Sequence, residues 1–128
     1  MNRKMGFGAI VLLFGVMIFG CDTEVVDRTP SLVVATELRA NGSIHITWNA
    51  VSGASSYEIA FRTNLDNPSV RRNVGTSTIS TFTHSSPPFT VDVITLYYFV
   101  RAHGSNTASD GTVRRWTSGW SIPGSVHR

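Results

Sequence analysis

Gly42-Ser43-Ile44-His45-Ile46-Thr47-Trp48 and Val51-Ser52-Gly53-Ala54-Ser55-Ser56-Tyr57-Glu58-Ile59, with two residues between them, set the pattern of the chain. In the first stretch Ile44, Ile46 and Trp48 fall on one face and His45 and Thr47 on the other, the period of a strand with one side buried. Gly53 to Ser56 turns the chain, after which Tyr57, Ile59 and Phe61 point one way and Glu58, Ala60 and Arg62 the other. Trp48, Tyr57 and Phe61 therefore read as core. Asn41-Gly42, just ahead, predicts a two-residue hairpin turn, because both central positions of that turn need positive φ.

The same rhythm continues in both directions. Ser31 to Leu38 predicts a first strand, and Val70 to Val74 a short edge strand that Arg71 and Arg72 guard against pairing with other chains. Thr76 to His84 reads as a strand rich in Thr and Ser, and Thr95 to His103 as the most strand-like run of all. Val113 to Val126 supplies a last strand, bent near Pro123-Gly124. No stretch keeps a helical period over two turns. Seven short, half-apolar strands separated by turn residues predict an all-β, immunoglobulin-like sandwich of two sheets.

These residues resemble a known family, the fibronectin type III domain. Residues 42–48 match its second strand with the buried tryptophan, and 51–59 match the entry to its third strand. Tyr98-Phe99-Val100-Arg101-Ala102 matches the sixth strand, and Ser118-Gly119-Trp120-Ser121 opens the seventh. The resemblance implies one domain over residues 31–128. Where the family carries a corner tyrosine this chain has Leu96, so Phe89 or Val91 is expected to plug the bottom of the core. The Arg-Gly-Asp of some members is absent. Trp116-Thr117-Ser118-Gly119-Trp120-Ser121 also resembles a loosened Trp-Ser-x-Trp-Ser segment of cytokine-receptor domains, with one residue inserted, which implies Trp120 stacked over Arg101.

The other end of the chain speaks about location. Arg3 and Lys4 precede an uncharged run from Met5 to Gly20, and Cys21, the single cysteine, follows directly. A cationic start, an apolar run and a small residue before the cut form a secretory signal. The Gly20-Cys21 junction resembles a bacterial lipobox, which implies a signal peptide over 1–20 and a lipidated (palmitate-bearing) Cys21 as the mature N-terminus. An uncleaved membrane anchor is the plainer alternative. Residues 21–30 then read as lipidated cysteine and tether, holding the domain about 20–30 Å from the lipid if extended. The expected location is the bacterial cell envelope, at the outer membrane or cell surface. Asp22 resembles an inner-membrane retention signal and keeps that membrane open as an alternative.

Composition excludes several classes of function. The 11 basic residues include Arg3 and Lys4, which leaves nine arginines against eight acids in the rest of the chain. That balance gives no basic surface for nucleic acid. With Cys21 acylated, no thiol remains for a disulfide or a metal. His45, His84, His103 and His127 are scattered without ligand spacing, and no nucleophile elbow, phosphate loop or carboxylate pair is present. No enzyme activity, cofactor or metal is expected.

What remains is surface. With Tyr98, Val100 and Ala102 facing the core, Tyr97, Phe99 and Arg101 point outward, Arg62 lies beside them on the third strand, and Trp116 and Trp120 reach the same face from the seventh. Exposed aromatic rings beside arginine make a recognition patch, because Trp, Tyr and Arg dominate interface hot spots. The expected role is an envelope-anchored module for protein–protein interaction or adhesion. The alternatives are a carbohydrate-binding lipoprotein, stacking sugars on Tyr97, Phe99 and Trp120, and a spacer subunit without a ligand.

Overall fold

The computed structural model describes residues 32–128. The signal peptide expected over 1–20 and the lipidated Cys21 and tether expected over 21–30 therefore lie outside the described residues. Eight strands and no helix are found in the described part: β1 (Val34–Leu38), β2 (Ile44–Trp48), β3 (Ala54–Thr63), β4 (Arg72–Ser77), β5 (Thr81–His84), β6 (Thr95–Thr107), β7 (Val113–Thr117) and β8 (Gly124–His127). They form two antiparallel sheets, β1-β2-β5 and β4-β3-β6-β7, with β8 also paired to β6. This is the all-β, immunoglobulin-like sandwich expected from the alternation, with the last strand in two pieces rather than one.

The core lies between the sheets and is built by the residues the period-2 pattern selects. Ile44, Ile46, Ile59, Leu96, Tyr98, Val100 and Ala102 are wholly buried, and Trp48 and Tyr57 nearly so. Each buried aliphatic or aromatic side chain stabilises the fold by roughly 1.5–3 kcal/mol relative to exposure. Phe61 packs on the margin of this cluster. Leu96 is part of the core itself. Phe89 packs against the cluster as its plug, whereas Val91 is 87% exposed.

Two local readings are corrected. The β1–β2 hairpin has a three-residue loop, Ala40-Asn41-Gly42, rather than a two-residue one. Arg39 N–H donates to Ser43 O at 2.8 Å, Gly42 N–H donates to Arg39 O at 2.9 Å, and Gly42 carries the left-handed φ of 88° that such a bulged turn needs. The Asn41 carboxamide oxygen accepts from both N–H and hydroxyl of Ser43, and so holds the longer loop. The second correction concerns residues 76–84, which are not one strand. The chain leaves β4 at Ser77 and enters β5, in the other sheet, at Thr81. Ser77 Oγ takes part in this crossing, bonded to Ile79 O and Thr81 O.

A side-chain contact at the core margin also joins the two sheets. The Tyr98 hydroxyl of β6 lies 2.7 Å from His84 Nδ1 of β5, which gives a fully buried phenol its partner. Burial holds the His84 pKa below its usual 6.5. The unfolded chain therefore takes up a proton at His84 before the folded one does. Stability from this site is complete above about pH 6.5 and is lost as pH falls toward the folded value. Urea unfolding followed between pH 7 and 5 is expected to show the midpoint falling, with a shallower fall in His84→Gln. Equal slopes in the two proteins would remove His84 as the cause.

Candidate functional site: the outer face of the large sheet

The pairing of β3 with β6 aligns Glu58 with Arg101, Ala60 with Phe99 and Arg62 with Tyr97. All six side chains alternate with core residues and so point away from the core. On this face three guanidinium groups lie over rings. Arg62 sits 4.0 Å from the Tyr97 centroid, Arg71 3.6 Å from that of Phe99, and Arg101 4.3 Å from that of Trp120. A stack of this kind contributes about 0.5–1 kcal/mol at an exposed site. Because β3 lies between β4 and β6, Arg71 must cross β3 to reach Phe99, and the small Ala60 opposite that ring leaves the room.

Two of the expected surface aromatics are not exposed. Phe99 points outward but is only 3% exposed, since Arg71 covers its ring and Arg62 lies 6.0 Å away. Trp116 is 4% exposed and belongs to the core cluster. The reason is a one-residue insertion. Ser118 N–H donates to Ala102 O and Ser121 N–H to Val100 O, so three steps along this segment face two along β6. The extra residue reverses the alternation, leaving Trp116 inward and Trp120 outward over Arg101. Tyr97, Arg101, Trp120 and Arg62 remain partly exposed on the face.

The insertion is held by serine hydroxyls. Ala102 N–H donates to Ser118 Oγ at 2.8 Å and Val100 N–H to Ser121 Oγ at 3.0 Å, where a regular strand would offer carbonyls. Ser118→Ala would leave a buried amide without a partner, at a cost of about 1–3 kcal/mol. Denaturant unfolding is expected to show that loss, and Trp120 fluorescence should report a changed setting for its ring. A stability change under about 0.5 kcal/mol would argue that water replaces the hydroxyl.

Charge on the face is unevenly compensated. Glu58 Oε1 accepts from Arg101 Nε at 2.9 Å and lies 3.0 Å from His103 Nε2, while Oε2 accepts from Asn73 at 3.1 Å. Burial raises the Glu58 pKa, but the hydrogen bonds from Arg101 and His103 outweigh it and hold the carboxyl below its usual value. Glu58 is thus an anion that neutralises Arg101. Arg62 and Arg71 have no carboxylate partner among the described residues. Arg71 donates to the Pro68 and Val70 carbonyls, and burial and then the charge of Arg62 push its pKa down. The Nε atoms of both arginines are buried without a hydrogen-bond partner.

Sequence reasoning placed Arg62, Tyr97, Arg101 and Trp120 on this face. It missed Arg71, read as an edge guard, and the pairing of Glu58 with Arg101 across the strands. The antiparallel register of β3 and β6 was the available signal for Glu58. Arg71 precedes β4, and no periodicity marks such a residue. A separate cleft of about 520 Å³ opens at one end of the sandwich, lined by Phe61, Leu65, Pro88 and Val93 with the Asp66–Arg72 ion pair at its side. Among the described residues no group of three or more His, Cys, Asp or Glu is placed to hold a metal ion.

No protein-family model matches the chain, and no curated protein matches it. Among solved structures it is similar to a crystal structure of an Fn3-like protein from Clostridium thermocellum. The identity is 23%, the match covers 74% of this chain and 92% of that one, and the TM-score is 0.45.

Proposed function

We propose that the protein is a lipid-anchored binding module of the bacterial cell envelope, held by Cys21 and recognising a protein partner through the outer face of the β4-β3-β6-β7 sheet. One observation carries the reading of the face: three arginines stacked on three aromatic rings form a partly exposed, laterally ordered surface with no third layer of described residues over it. Arginine, tyrosine and tryptophan are the side chains that concentrate binding energy at protein interfaces, and stacking removes entropy before the partner arrives. The carbohydrate alternative is weaker, because a sugar needs an open ring face and Tyr97, Phe99 and Trp120 each carry a guanidinium on one side. The anchor rests on the basic start, apolar run and Gly20-Cys21 junction.

The test is photo-crosslinking in intact cells, with a photoreactive residue at Asn73, beside Ala60 on the face, or at Thr83 on the opposite sheet. A discrete protein adduct from Asn73 and none from Thr83 is expected, in the membrane fraction. Cys21→Ser should move the protein out of that fraction or leave it with its signal uncut. Adducts from Thr83 alone would overturn the assignment of the face. Unchanged membrane retention of a processed Cys21→Ser protein would overturn the lipid anchor.

A further inference from the structure

Arg62 and Arg71 differ from Arg72 and Arg101 of the same sheet. Arg72 forms a two-pronged pair with Asp66, at 2.6 and 2.9 Å, and Arg101 is neutralised by Glu58. Arg62 and Arg71 instead crowd two guanidinium groups about the Phe99 ring with no acid beside either among the described residues. The arrangement is locally built. Asp66 accepts from Thr63 N–H and grips Arg72, while Asn67 Oδ1 accepts from Ser69 N–H and hydroxyl. Those bonds fold residues 66–70 so that Arg71 can anchor on two carbonyls and lie flat on Phe99. The loop spends several hydrogen bonds to bring one cation next to another.

We infer that Arg62 and Arg71 form a carboxylate-binding site for an acidic segment of a protein partner; this rests on the reading of the outer face as the recognition surface. A carboxylate between the two guanidinium groups relieves their repulsion and offers both oxygens to planar donors of matching geometry. The stacking has already taken water from one side of each cation, so less desolvation remains for the ligand to cause. The surroundings favour a short acidic peptide over a polyanionic glycan. Among the described residues these two cations are the ones at the centre of the face without an acid partner, and the Glu58 carboxylate on the same strand repels a polymer of anions laid along the sheet. The Tyr97 edge and Trp120 offer apolar contact to residues beside the acidic one.

The experiment uses the full chain in detergent and a fluorescein-labelled, end-capped hexaglutamate, followed by anisotropy at low salt. Hexaglutamine is the neutral control and dextran sulfate the competing polyanion. Arg62→Gln and Arg71→Gln are each expected to weaken hexaglutamate binding tenfold or more. Arg115→Gln, which removes an equal charge from exposed β7, should change it less than twofold, and hexaglutamine should not bind. The Arg62 side chain makes no hydrogen bond among the described residues, so its variant keeps the strand pairing, is expected to fold and serves even if Arg71→Gln does not. Equal weakening by Arg115→Gln, or no hexaglutamate binding at all, would overturn the site. Arg62-dependent displacement by dextran sulfate at equal charge would transfer it to an acidic polysaccharide. Asn73 adducts that persist in the Arg62→Gln, Arg71→Gln double variant would remove the carboxylate site while leaving the face as a binding surface. Loss of adducts from the unaltered chain would instead remove the face.

Discussion

Gly104→Ala is expected to lower stability by about 3 kcal/mol, a large share of what a small domain has. Gly104 lies in β6 opposite Trp116 of β7, on the inward side of the strand. A methyl group there would stand 2.5 Å from Gly53 O and nearer still to Trp116 Cζ2. Neither neighbour can give way. One is backbone, in a turn whose Gly53 already has a φ of 81°, and the other is a core indole that is 4% exposed. The indole lies where two backbone segments meet without side chains, so the glycines at 53 and 104 make the slot that Trp116 fills. Thermal unfolding of Gly104→Ala should show a midpoint lower by roughly 12–24 °C for a domain of this size. Gly119→Ala is the control, since nothing lies within 4 Å of its added carbon, and it should stay within about 0.5 kcal/mol. Similar midpoints for the two variants would mean that Trp116 does not occupy that slot in solution.

The same tryptophan marks the border of what the sequence makes legible. Alternation in β2, β3 and β6 identified the core faces, because a strand's period is 2 and each of these strands buries one side. It also placed Arg62, Tyr97 and Arg101 correctly on the opposite face. Trp116 and Trp120 are four residues apart, so one unbroken strand would put both on the same side. The inserted residue between Ser118 and Ser121 breaks that parity, and only the hydrogen bonds to Ala102 and Val100 reveal where. The passage from β4 to β5 was hidden for a related reason. Residues 76–84 keep a strand-like composition throughout, and the change of sheet is a tertiary event. Phe99 was correctly aimed but wrongly called exposed, because its cover comes from Arg71, a loop residue 28 positions earlier whose approach depends on how Asp66 and Asn67 fold the loop. Charge compensation had the same limit: Glu58 and Arg101 become partners only once β3 and β6 are in register.

Trp48→Ala should match or exceed the Gly104 effect by the opposite physics, a cavity instead of a clash. Trp48 is 6% exposed and meets Tyr57 edge-on, with ring centroids 5.3 Å apart and planes at 64°. Removing so large a buried ring costs about 3–5 kcal/mol, since the surrounding core closes only in part. The contact also reaches the backbone, because the Tyr57 hydroxyl accepts from Val51 N–H at 2.9 Å and so pins the connection from β2 to β3. Losing the indole frees Tyr57 to shift and weakens that pin as well. Tyr57→Phe isolates the second effect and is expected to cost about 1 kcal/mol. Trp48→Phe should cost less than its lost volume suggests, because the indole N–H is buried without a partner among the described residues. Unfolding followed by circular dichroism in urea gives all three values without relying on the tryptophan signal. If Trp48→Ala lost less than 1 kcal/mol, the core would have to be organised around Tyr98 and the isoleucines instead. Hexaglutamate binding by the folded fraction of Trp48→Ala should stay unchanged, since the Arg62–Arg71 pair is built on the outer face by Phe99, Tyr97 and the 66–70 loop.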